Sequence, residues 1–80
     1  MKMKIYLIQL DDWGWDEYDS CVIVAESEAQ VRHFCREGFS ACRGRGFEIT
    51  PQQKVENIQC IGTSELYDKP TIICASFNAG

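Results

Sequence analysis

The chain has 80 residues, 45% of them apolar and 25% charged, and a formal charge of −4. That length bounds it at one small domain, the apolar fraction excludes a disordered chain, and the net acidity argues against general nucleic-acid binding. The charge is unevenly spread: residues 5–31 hold seven carboxylates and no basic side chain, whereas residues 32–45 hold Arg32, Arg36, Arg43 and Arg45 against Glu37 alone.

Lys2 to Leu10 reads as a first strand. Met3, Ile5 and Leu7 fall on one face and Tyr6, Ile8 and Leu10 on the other, so both faces are apolar and the strand is expected to be central. The apolar run is too short for a signal peptide, and no segment reaches the roughly 20 apolar residues that span a bilayer. Asp11 to Asp16 reads as a turn centred on Gly14. Tyr18 to Ala25 reads as a second strand on the β-branched run Val22-Ile23-Val24, and the short connection predicts a hairpin.

The helix start is written in Ser27, an N-cap residue with Gln30 three positions later. Glu28 in the first turn and Arg36 in the last both suit the helix dipole, and Glu28 and Arg32 stand four apart in the favourable order. Val31, Phe34 and Cys35 mark the buried stripe, and Gly38 can stop the helix as a left-handed C′ residue. Residues 39–53 read as a long loop with a short strand near Phe47 to Thr50. Lys54 to Thr63 and Thr71 to Phe77 read as strands separated by a turn over Ser64 to Pro70.

These elements predict one α+β domain over residues 1–80. Its antiparallel sheet has four to five strands in ββαββ order, with one helix packed on one face. The helix stripe is expected against Ile5, Leu7, Ile23 and Ile73.

The five cysteines, Cys21, Cys35, Cys42, Cys60 and Cys74, are odd in number and hold no C-x-x-C pair, which suits reduced thiols in a cytosol. His33, the sole histidine, stands two positions from Cys35, about 200° round a helix, so the two do not converge on a metal. The carboxylates lie in an open turn, not in a pocket that would raise one pKa. No catalysis, metal or cofactor is therefore expected.

The strongest functional feature is the segment holding Asp11, Asp12, Trp13, Trp15, Asp16, Glu17, Tyr18 and Asp19. On a regular strand Glu17 and Asp19 share one face at about 7 Å spacing, and Asp16 and Tyr18 share the other. A row of carboxylates can compete with phosphates for an arginine- and lysine-rich groove, and tryptophans supply contact area at interface centres. The structural alternative is a solvated loop whose tryptophans fold back onto the sheet. A different function would place Arg32, Arg36, Arg43 and Arg45 on a nucleic acid, as an accessory module. The Arg43-Gly44-Arg45-Gly46 run resembles one copy of an RGG segment.

The stretch Tyr18-Asp19-Ser20-Cys21-Val22-Ile23-Val24-Ala25-Glu26-Ser27-Glu28 through Arg32, with the closing Ala75-Ser76-Phe77-Asn78-Ala79-Gly80, resembles a family of small phage and prophage proteins that includes type I-C anti-CRISPR proteins. The resemblance covers about half of the chain and excludes residues 38–53. It implies a non-enzymatic inhibitor that binds a type I crRNA-guided Cas complex in the cytoplasm of a bacterial host. There it would obstruct recognition of target DNA or its PAM. A monomer is expected, with no membrane association. A homodimer joining acidic end to basic loop is the variant reading.

Overall fold

A computed structural model describes residues 2–11, 17–44, 47, 49 and 53–78; of Glu17, Phe77 and Asn78 it describes the backbone. The elements are β1 (Met3–Leu10), β2 (Glu17–Ala25), α1 (Glu28–Glu37), β3 (Arg43–Gly44), β4 (Val55–Ser64) and β5 (Thr71–Asn78). They form one sheet in the order β3-β5-β2-β1-β4, with the helix on one face. The fold is α+β, with one helix and five strands among the described residues.

The doubly apolar β1 is interior, as its pattern predicts: it pairs antiparallel with β2 on one side and with β4 on the other. β5 pairs antiparallel with β2. The sheet departs from the expected all-antiparallel form only at its edge, where β3 runs parallel to β5.

Cross-strand partners share a face, so the register sorts every strand residue. Toward the helix, one row runs Ile58, Ile8, Cys21, Ala75, and the next runs Cys60, Tyr6, Ile23, Ile72. Val31 and Phe34 of the helix pack on these rows, with Leu10 and Ala25 completing the buried cluster. Away from the helix, the rows are Asn57-Gln9-Ser20-Ser76, then Gln59-Leu7-Val22-Cys74, then Gly62-Ile5-Val24-Thr71, then Ser64-Met3.

Of the four expected partners of the helix stripe, Ile23 is correct. Ile5 and Leu7 lie on the opposite face. When both faces of a strand are apolar, alternation alone cannot say which one the helix takes, and it takes the Tyr6, Ile8, Leu10 face. Ile73 is the extra residue of a β-bulge between Val22 and Ile23, and its side chain is 42% exposed. A bulge shifts the parity of every later position.

The helix start is capped at Ser27 as its residues predict, whereas Gly38 ends the helix at a positive φ outside the expected left-handed region. The Ser27 hydroxyl accepts the Gln30 N–H at 3.2 Å, and Gln30 Oε1 reaches back to the Glu26 N–H at 2.8 Å, one residue before the cap. Gly38 closes the helix with its N–H on the Phe34 carbonyl at 2.8 Å. Its backbone sits at φ 105° and ψ 163°, a region open in practice to glycine alone.

The segment after the helix carries more core than its glycine and arginine content predicts. Phe39 and Phe47 are both buried. Their rings meet edge-on at 5.0 Å, and Phe39 lies 6.0 Å from Phe34. The extra short strand is Arg43–Gly44; of residues 47–50, expected in a strand, the described Phe47 and Ile49 are in none. Gly44 makes the edge pairing possible: at φ 96° it lies so close to β5 that an added Cβ would collide with the Ile72 carbonyl oxygen.

Candidate partner-binding surface

The acidic segment joins β1 to β2, and its two ends are described. At the β1 end, Asp11 is half-buried and tied to the start of β4 by two hydrogen bonds. Its N–H donates to the Lys54 carbonyl at 2.9 Å, and the Lys54 N–H donates to Asp11 Oδ1 at 2.7 Å. A carboxylate accepting a backbone N–H makes a charge-assisted bond, so Asp11 fixes the exit of β1.

At the β2 end, Tyr18 is half-buried, with its ring edge-on to Phe47 at 5.2 Å. Its carbonyl accepts the side-chain amide of Gln53 at 2.6 Å, and Gln53 is itself buried. Asp19 is half-buried and accepts the Ser20 hydroxyl at 3.2 Å. Tyr18 pairs with Phe77 and Ser20 with Ser76, so Asp19 is the extra residue of a bulge. The regular two-residue row expected for Glu17 and Asp19 therefore ends at Asp19, where the strand turns. Asp12, Trp13, Trp15 and Asp16, and the side chain of Glu17, lie outside the described residues.

The cations are spread over several elements. Arg32 pairs with Glu28 along the exposed helix face at 2.9 Å, as the i, i+4 spacing predicts. Arg43, on β3, pairs with Asp68 at 3.5 Å, and Lys2 pairs with Glu65 at 4.0 Å. All three pairs are exposed, where such contacts contribute little stability. Arg45 lies outside the described residues. Among the described residues, no ion pair uses Asp11 or Asp19.

Arg32, Cys35 and Arg36 also line a shallow depression of about 260 Å³ with Ile49, Gln53, Val55 and Ile58. The thiol in it is not activated. Burial pushes Cys35 up to about 11 against the opposing pull of Arg32 and Arg36, and burial pushes Cys21 up to about 12. Cys42 is raised by burial as well. A nucleophilic cysteine needs the reverse shift. His33 is exposed on the helix, its ring 6.1 Å from that of Phe34. Among the described residues, no three His, Cys, Asp or Glu side chains converge as metal ligands, and no helix is long and apolar enough to cross a membrane.

Comparison with protein-family models, with curated proteins and with solved structures finds no match to this chain.

Three features of the site region were not read from the residues, the first being the tie of Asp11 to Lys54. The bulge at Asp19 has no local signal, because it arises from pairing with β5. The anchoring of Tyr18 by Phe47 and Gln53 joins residues about thirty positions apart, beyond the reach of periodicity.

Proposed function

We propose that this chain is a non-catalytic inhibitor that docks through its acidic hairpin end onto a cationic, DNA-reading surface of a type I crRNA-guided Cas complex. The observation that carries the reading is the separation of charge. Asp11, Asp12, Asp16, Glu17 and Asp19 stand together without a basic residue, and the described ion pairs take their acids from Glu28, Glu65 and Asp68. Of these, the described Asp11 and Asp19 stand in no ion pair among the described residues, and a carboxylate without an ion pair can attract an external cation.

The anchoring of both hairpin ends supports the same reading. Asp11 held on Lys54 and Tyr18 held on Phe47 fix the positions of the two described ends of the acidic segment. The raised thiols of Cys21, Cys35 and Cys42 favour binding over nucleophilic chemistry. The choice of a Cas complex as partner rests on the resemblance of residues 18–32 and 75–80 to the phage family. Trp13, Trp15 and Tyr18 would supply the apolar contact between the acids.

The test is association with a purified type I-C Cas complex at increasing salt. Exposed charge pairs are screened over about 8 Å at physiological ionic strength and about 3 Å at 1 M. Binding is expected to weaken steeply across that range, with target-DNA binding by the complex recovering in parallel. Salt-independent association, or none at low salt, would contradict the proposal.

A further inference from the structure

Arg32 and Arg36, four apart on one side of α1, line the depression between the helix and the edge strand β4. Its floor is apolar. Val55 and Ile58 come from the helix-side face of β4 and Ile49 from the segment after the helix, all three half-buried. Among the described residues, the charged groups lining it are these two arginines, with no acid. Both guanidinium groups pull on the half-buried Cys35 thiol, so both act on the same spot. Glu28 engages Arg32 through Nε, and Arg36 stands in no ion pair among the described residues.

We infer that this depression binds a small amphiphilic carboxylate, its head on the Arg32 and Arg36 guanidinium groups and its aliphatic tail on Ile49, Val55 and Ile58. Charge selects the head. A carboxylate matches the planar fork of a guanidinium with two parallel hydrogen bonds, and no lining acid repels it. The floor selects the tail, because three aliphatic side chains left half-exposed gain by losing their water. A mostly apolar hollow with a few placed polar groups is the usual form of a small-molecule site.

Volume sets the size of the ligand. Set against a cavity of about 150 Å³ that takes benzene, 260 Å³ holds about ten non-hydrogen atoms, a carboxylate of about eight carbons. For a ligand of that size in an open site, a dissociation constant on the order of 0.1–1 mM is expected. The site uses none of the hairpin acids, so it can fail without touching the proposed docking, and the reverse holds as well.

The test is an NMR titration of the full chain with sodium octanoate to about 20 mM at constant ionic strength, beside acetate, butanoate, hexanoate and 1-octanol. The expected result is a saturable shift of the backbone amides of residues 32–36 and 55–58 with octanoate. Affinity should rise about two- to fourfold per methylene from butanoate to octanoate, and acetate should not saturate. Octanol, which has the tail without the charge, should bind at least about tenfold more weakly than octanoate. Arg36→Gln, at an exposed position, should weaken octanoate binding by about tenfold and keep the melting of the parent. If that variant fails to fold, the tail-length series and octanol decide on the parent chain. No saturation with octanoate overturns the inference. So does equal affinity for butanoate and octanoate, as for a bare anion contact, or for octanol and octanoate, or undiminished binding by a folded Arg36→Gln.

Discussion

The ring of Phe47 stands edge-on to that of Tyr18 at 5.2 Å, so a residue of the loop after the helix packs against the second residue of β2, within the acidic segment. Through Phe39 and Phe34 the contact continues to the helix. The aromatic run thus couples three stretches that share no backbone pairing: the start of β2, the 39–49 segment and α1. Phe47→Ala should destabilise the fold by about 3 kcal/mol, the usual effect of emptying a buried aromatic site. Leu66→Ala, at a residue 89% exposed, should change stability by less than about 0.5 kcal/mol. Urea unfolding of the two variants beside the parent checks both values.

Gly44 is required by its neighbour as well as by its backbone. Gly44→Ala brings a Cβ onto the Ile72 carbonyl and forces alanine to a positive φ, so β3 should leave the sheet edge at a cost of about 1–3 kcal/mol. Gly38→Ala faces open space and suffers from φ alone, so its cost should be smaller. Faster hydrogen exchange in residues 42–44 of Gly44→Ala, with the β1–β2 ladder unchanged, is the expected signature.

Stability should fall in alkali through the buried thiols. Cys21 titrates at about 12 when folded, against an ordinary 9.0. Below about pH 9 the thiol is protonated in both states and its contribution is fully present. Above it the unfolded chain releases the proton first, so stability declines by up to about 1.4 kcal/mol per pH unit for such a group until the folded thiol titrates. Cys35, at about 11, adds to the slope over a narrower window. In Cys21→Ala the Cys21 share of the slope is absent. The stability gap between parent and variant, measured in urea at about pH 8 and about pH 10.5, should therefore narrow as pH rises.

Much of the fold was legible from local chemistry. Ser27, Gln30 and Gly38 marked the helix, and the two apolar faces of β1 placed it inside the sheet. What escaped was non-local. The face of β1 taken by the helix depends on packing between layers, and the parity of Ile73 on a bulge imposed by β2. The 39–53 stretch read as loop because Gly44, Gly46 and Pro51 dominate its propensities, yet Phe39 and Phe47 anchor it to the core from within. In the candidate site, the concentration of acid was plain in the sequence. The structural duties of Asp11 and Tyr18 were not, since each is set by a partner on a distant element: Lys54 for one, Phe47 and Gln53 for the other.

The chain should give no shift of single-stranded or duplex DNA or RNA in a gel at moderate salt. Arg32 and Arg43 are already paired with Glu28 and Asp68, and the net charge repels phosphate. A shift abolished by Arg36→Ala together with Arg45→Ala would favour the accessory nucleic-acid module instead.

The most direct measurement is binding of the triple charge reversal Asp16→Lys/Glu17→Lys/Asp19→Lys to an immobilised type I-C Cas complex, beside the parent chain at the same salt. Three reversed charges at the hairpin end should abolish association while leaving the melting temperature within a few degrees of the parent. Undiminished binding by a folded triple variant would contradict docking through the acidic end.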